Sequence, residues 1–227
     1  MEELFLEFQS QFTNRINHYK NFNSFGEDSI RYDFFNALVK FFGIEPCEIQ
    51  LEFPMPNTQF ESKLISEKKG RGRHDFKPEV DLLVKNSTKN SEGIIVEFAY
   101  FRKPEKAVNQ DKTGKHGKIL NEIFRLSLMK NHKVFNDFHC YFICVTDEEM
   151  INYGKIGTRG STPEGIRDHY ELDETYLNKL KSTALGKIDS KFRIKCESLN
   201  LIPSAKRIFK IESASSLKWE IWIWEVM

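Results

Sequence analysis

Cysteine is scarce in this chain, and its spacing excludes two chemistries. Four occur, at Cys47, Cys140, Cys144 and Cys196, and no Cys-x-x-Cys is present. Cys140 and Cys144 fall on a strand-like run, where four residues span roughly 13 Å, too far for one tetrahedral zinc. Buried free thiols in a reducing, cytoplasmic setting are therefore expected rather than a zinc ribbon or a disulfide scaffold. The N-terminal Met1-Glu2-Glu3-Leu4 lacks the basic-then-apolar order of a secretory signal. No apolar run approaches the roughly 20 residues that cross a bilayer, so no membrane partner is expected and the Asn86-Ser87-Thr88 sequon carries no meaning. An excess of one charge is missing too: 34 Lys/Arg stand against 33 Asp/Glu, a net of +1. Global charge thus does not point to nucleic acid. Gly-x-Ser-x-Gly, a phosphate-cradling glycine loop and His-Glu-x-x-His are absent, so hydrolase triads, nucleotide kinases and zinc proteases have no support. There is no internal repeat and no low-complexity linker.

What is present suffices for a substantial core. The 227 residues are 40% hydrophobic and include 20 Phe, a length that fits one domain dominated by aromatic packing. Leu4, Phe5, Phe8, Phe12, Ile16 and Tyr19 share a helical stripe. Ser24-Phe25-Gly26-Glu27 has capping-box spacing, and the helix behind it turns Ile30, Phe34, Phe35, Leu38, Phe41 and Phe42 inward until Gly43 stops it. Ile49, Leu51, Phe53 and Met55 alternate as a half-buried strand. Two further strands, at 79–85 and 93–102, are joined by a short polar connection that favours an antiparallel hairpin. Residues 103–114 read as loop, 117–130 as helix and 138–145 as a buried strand. Residues 152–173 read as a Gly/Thr-rich loop, 173–185 as a helix, and 205–212 with 217–226 as closing strands. The last is apolar on both faces, which predicts a central or interface position.

Two acids interrupt the apolar runs. Asp81 lies in Pro78-Glu79-Val80-Asp81-Leu82-Leu83-Val84, and Glu97 in Ile94-Ile95-Val96-Glu97-Phe98-Ala99-Tyr100-Phe101-Arg102-Lys103. Burial selects against charge in such runs unless a partner is present. A divalent cation is one such partner, and two converging carboxylates make a hard oxygen site suited to Mg²⁺. Local charge is uneven around them: residues 63–118 carry 14 Lys/Arg against 8 Asp/Glu. A positive field beside a metal-binding pair suits a phosphodiester.

An Asp, a strand turn and then Glu-x-x resembles the PD-(D/E)XK nuclease superfamily, which includes many type II restriction endonucleases. The resemblance covers about residues 24–146, with 147–227 as a C-terminal elaboration of a single nuclease-like domain. It implies an α/β, restriction-endonuclease-like core: a central mixed sheet in the order α-β-β-β-α-β, flanked by helices, with extra C-terminal strands. It also implies a Mg²⁺-dependent endodeoxyribonuclease, a restriction enzyme or related bacterial defence nuclease, acting on double-stranded DNA as a homodimer. Asp81 and Glu97 would hold the metal. Glu27, at a helix start, would be a further acid near it, or else a capping residue bonding only its own backbone. Lys68, Lys69, Arg71, Arg73, Arg102, Lys103, Lys115, Lys118 and Arg159 would contact DNA, chiefly through phosphate. His74 reads as a phosphate contact or plain surface, and His116 and His132 lack ligand spacing. Glu122 and Arg125 read as an intrahelical charge pair.

One position departs from the pattern. The family places lysine two residues after the second acid, and here that position is Ala99. Alanine can neither position nor activate a water. Three accounts stand: an engineered replacement, a lysine supplied instead by Lys103, Lys115 or Lys118, or an inactive nuclease-fold module that binds nucleic acid or a protein.

Overall fold

Glu2 and Glu3 in the first turn of helix α1 (Glu2–Tyr19) complement its positive N-terminal dipole, and Lys20 closes it in the left-handed conformation. Helix α2 (Glu27–Phe42) starts after Gly26 and ends at Gly43, whose φ of +60° is the left-handed cap that glycine supplies without strain. Arg15 ties the two helices, donating from Nε and Nη2 to the carboxylate of buried Asp33 at 2.7 Å each. This computed structural model describes residues 1–56, 78–85, 93–103, 110–156, 165–213 and 217–227.

The strands are β1 (Ile49–Pro54), β2 (Glu79–Val84), β3 (Ile94–Phe101), β4 (His139–Asp147), β5 (His169–Glu171), β6 (Ser204–Glu212) and β7 (Trp219–Val226). They form one mixed seven-stranded sheet in the order β1-β2-β3-β4-β7-β6-β5. The β2–β3 pair is antiparallel, as its short connection predicts. Among the described strands only β3 and β4 run parallel, and helix α3 (Lys112–Lys130) lies between them in the chain. The described residues also form helices α4 (Glu148–Ile156), α5 (Glu174–Leu177), α6 (Ser182–Leu185) and α7 (Ser190–Ser198). The result is a mixed α/β fold with helices flanking the sheet.

Two apolar clusters occupy the two sheet faces. One joins α1 and α2 to Leu82, Val96, Phe98, Ile143 and Ile221. The other joins α3 and the C-terminal helices to Ile95, Ala99, Cys144, Trp222 and Trp224. Strands buried on both faces lose the apolar/polar alternation. That is why β3, β4 and β7 read as continuous apolar runs, and why β7 sits centrally between β4 and β6.

Several expectations are corrected. Two helices precede β1, and β7 inserts beside β4, so the observed order is not α-β-β-β-α-β followed by appended strands. Helix α3 begins at Lys112, because the Asp111 side chain caps it by accepting from the Gly114 N–H at 2.8 Å. Residues 148–156 are helical, so the predicted 152–173 loop starts too early. Residues 173–185 form two one-turn helices rather than one. Tyr19 and Phe41, predicted inward, are exposed at the outer ends of their helices. Leu51 is exposed as well, since β1 is an edge strand and Glu52 beside it adopts φ +51°, which breaks the alternation.

Candidate active site

The site forms where the sheet comes apart. The last bonded β2–β3 pair is Leu82 with Val96, and the next positions along the two strands are Asp81 and Glu97. On the other side of β2, Leu51 pairs with Leu82 and Phe53 with Val80, so Glu52 stands opposite Asp81. Three acids thus fall in one row across three strands. Side-chain alternation also breaks here: Val80 belongs to the α3-side cluster and Leu82 to the α2-side cluster. Asp81 sits at that change of face and reaches toward both layers.

Beyond Leu82 the backbone donors of β3 have no strand partner on that edge, and buried N–H groups must be satisfied. Carboxylates take the place of the missing strand. Asp81 Oδ2 accepts from the Phe98 N–H at 2.7 Å, and Glu27 Oε2 accepts from the Tyr100 N–H at 3.1 Å. Glu27 is therefore not a capping-box residue. The helix N-cap is Gly26, and the Glu27 carboxylate leaves its own helix to close the open edge of β3.

Each acid has a cation. Arg31 donates from Nη2 to Asp81 Oδ1 at 2.7 Å, and its Nη1 lies 3.5 Å from Glu52 Oε1. Arg125 donates from Nη1 to Glu97 Oε1 at 2.8 Å and lies 3.1 Å from Glu122 Oε2. Lys118 donates from Nζ to Glu27 Oε2 at 2.9 Å. Glu97 and Glu122 are buried, at 2% and 4% exposure. The Lys118 side chain remains 41% exposed.

These charges act on one another. Burial pushes the Glu97 carboxyl well above its ordinary range, the charges of Glu122 and Asp81 push it further, and Arg125 opposes them. Burial likewise raises Glu122, against Arg125 and Lys118. Burial by itself would depress Lys118, but Glu27, with Glu122 and Asp81, outweighs it and holds the ammonium above its usual value. Asp81, Glu97, Glu122, Glu27, Lys118 and Arg125 therefore share one electrostatic neighbourhood.

Ala99 is fully buried and pairs in register with Cys144 on β4. Ala99 and Cys144 both belong to the apolar cluster on the α3 side of the sheet, and α3 carries Lys118. The other two lysines weighed for this role go elsewhere. Lys103 Nζ pairs with Glu149 at 3.0 Å. Lys115 Nζ donates to the Arg102 carbonyl at 2.6 Å, and burial lowers its pKa.

Among the expected DNA contacts, Arg102 donates to Asn23 Oδ1 at 2.7 Å and flanks the Tyr100 ring. Lys68, Lys69, Arg71, Arg73 and Arg159, with His74, lie outside the described residues. Sequence reasoning gave Arg31 no role, and its intrahelical Glu122–Arg125 pair is present but is buried and extends to Glu97. The overlooked signal is that α3 is apolar nearly all round, with Ile119, Leu120, Ile123, Phe124 and Leu126 buried, so a polar residue among them had to be buried as well.

Among the described residues, no group of three or more His, Cys, Asp or Glu side chains is arranged as a metal site. Carboxylate oxygens are the ligand type a hard cation takes. Each carboxylate oxygen offers two lone-pair directions, so Asp81 and Glu97 keep acceptor capacity beyond the bonds described. Mg²⁺ takes one or two carboxylates and fills its remaining positions with water and phosphate. No protein-family model, curated protein or solved structure matches this chain.

Proposed function

We propose that this protein is a metal-dependent endodeoxyribonuclease in which Lys118 takes the role that position 99 cannot. The observation that carries the reading is that Asp81 and Glu97 occupy the next positions on β2 and β3 where their pairing ends, while Glu27, bonded to the Tyr100 N–H of β3, holds the Lys118 ammonium. Two carboxylates from paired strands, one of them buried, beside a half-exposed ammonium are what phosphodiester hydrolysis requires: oxygen ligands for a cation and a positive group for the phosphate.

Asp81 and Glu97 would hold Mg²⁺, which when bound polarises the phosphoryl group and lowers the pKa of an attacking water. The remaining chemistry belongs to the chain. Glu27 anchors the Lys118 ammonium at the mouth of the site. From there Lys118 orients the nucleophile and offsets charge that develops on the phosphate oxygens. Arg31 holds Asp81 in place without using its second oxygen, which the Phe98 N–H fixes. Arg102, Lys103 and Lys115, at the end of β3 and the start of α3, supply the positive approach for the duplex backbone. In the same reading two chains pair about a two-fold axis on double-stranded DNA.

The test is cleavage of high-complexity genomic DNA by the purified chain with Mg²⁺ or Mn²⁺, against the same reaction in a chelator. The reading expects metal-dependent cutting that is lost in Asp81→Asn, Glu97→Gln and Lys118→Ala. Cutting that survives all three substitutions, or no cutting under any metal condition, overturns it. DNA retention without cutting would instead support the inactive binding module. RNA added as competitor distinguishes the two nucleic acids.

A further inference from the structure

We propose that Arg125 permanently fills a second cation position in this site, so that the protein works with a single divalent ion. The inference rests on the metal-binding reading above. The Nη1 atom of Arg125 is surrounded by three oxygens: Glu97 Oε1 at 2.8 Å, Glu122 Oε2 at 3.1 Å and the Glu79 carbonyl at 3.2 Å. Two of these belong to buried carboxylates on different elements, β3 and α3. Glu122 Oε2 is itself buried and makes no hydrogen bond, and the guanidinium of Arg125 is the cation it pairs with directly, at 3.1 Å. An oxygen cage of this kind, with two carboxylates and a backbone carbonyl, is a hard-cation site. Here a side chain of the same protein occupies it.

Arg125 is also held there. Its guanidinium carbon lies 5.5 Å over the Phe192 ring, a cation–π contact from α7. Glu122 is the i−3 neighbour of Arg125 on α3, so the cage and its occupant move together. An arginine cannot lose its proton at any working pH, and the position stays cationic without metal. Asp81 and the unbonded side of Glu97 then remain for one exchangeable ion. Two-metal phosphodiesterases place two divalents about 4 Å apart. In this chain the second would meet a fixed positive charge.

Counting Mn²⁺ by equilibrium dialysis and electron paramagnetic resonance on the full chain tests this. Wild type is expected to bind one ion per chain. Glu122→Gln should also bind one, with affinity within about threefold of wild type, because Glu122 serves Arg125 rather than the exchangeable metal. Arg125→Ala should gain one ion relative to wild type, and Glu122→Gln in that background should remove it. Two ions in wild type, a tenfold or greater loss of affinity in Glu122→Gln, or no gained ion in a folded Arg125→Ala chain each overturn the inference. If Arg125→Ala does not fold, wild-type stoichiometry and the Glu122→Gln affinity decide alone. Zero ions in wild type with one in Arg125→Ala would sink the metal-binding reading of Asp81 and Glu97 while leaving the cage intact.

Discussion

Lys118 Nζ lies 2.9 Å from Glu27 Oε2, which ties the first turn of α2 to the middle of α3 across the open edge of β3. The pair joins elements that are 91 residues apart in sequence. It places an ammonium beside the Asp81–Glu97 opening without any lysine on β3.

Removing that ammonium should abolish turnover while leaving the fold in place. Lys118→Ala is expected to lower the cleavage rate by about 10²- to 10⁴-fold, the usual range for a positioned acid–base group, with far-ultraviolet circular dichroism unchanged. On the proposed reading Ala99→Lys alone should give no gain, because Lys118, held by Glu27, would already serve the site. In the Lys118→Ala background the same change should recover part of the rate. Gain of activity by Ala99→Lys with Lys118 present would show that the native lysine is idle.

The raised carboxyl of Glu97 makes stability depend on pH in a defined direction. Its folded value lies above the ordinary 4.5. Between those two values the folded chain holds a proton that the unfolded chain has released. The stabilisation is complete below about 4.5 and is lost as pH rises through the folded value. The melting temperature of the metal-free protein should therefore carry a component that falls from mildly acidic toward neutral pH. Glu97→Gln should flatten it. Added Mg²⁺ should raise the melting temperature more at the higher pH, where the carboxylate is ionised. A scan by differential calorimetry with and without Mg²⁺ reads both effects.

Thiol chemistry provides a check on the core. Cys47 is exposed, while Cys140, Cys144 and Cys196 are buried. Burial pushes the Cys140 and Cys196 thiols up to about 12, and Cys144 well above its usual value. A thiol-specific reagent at neutral pH should label one cysteine per native chain, and all four after denaturation. Rapid labelling of Cys144 in the native protein would contradict the packing of β4 against β3.

Helix α3 owes its place to one close approach. A Cβ built on Gly117 would fall 2.3 Å from the Ala184 carbonyl oxygen on α6. The backbone there cannot yield as a flexible side chain would. Gly117→Ala is expected to destabilise by about 1–3 kcal/mol, the range for overpacking a filled interface. Because α3 carries Lys118, Glu122 and Arg125, it should reduce metal affinity too. Urea titration and Mn²⁺ binding measure the two losses.

Phe34 tests the opposite layer. Its ring lies 5.4 Å from Phe8 and 5.5 Å from Phe98, joining α1, α2 and β3. Phe34→Ala should cost about 3–5 kcal/mol, seen as a lower urea midpoint.

Local pattern in this chain determined the antiparallel pairing of β2 and β3, the two N-terminal helices with their stop at Gly43, and the central character of β7; of the four thiols expected to be buried it was right for Cys140, Cys144 and Cys196 and wrong for Cys47, which is exposed. It also singled out Asp81 and Glu97, because a charge inside a run of Val, Ile and Leu is conspicuous by itself. Tertiary structure decided everything that depended on distance along the chain. That Glu27 bonds Tyr100 rather than its own helix, that Arg125 turns to Glu97 as well as Glu122, and that Lys118 rather than Lys103 or Lys115 pairs with Glu27 are facts about which elements lie side by side. Helical and strand periods report only which face a residue occupies. Where β2 and β3 separate, and which carboxylates then replace the missing strand on the freed N–H groups, follows from how the layers above and below the sheet come together.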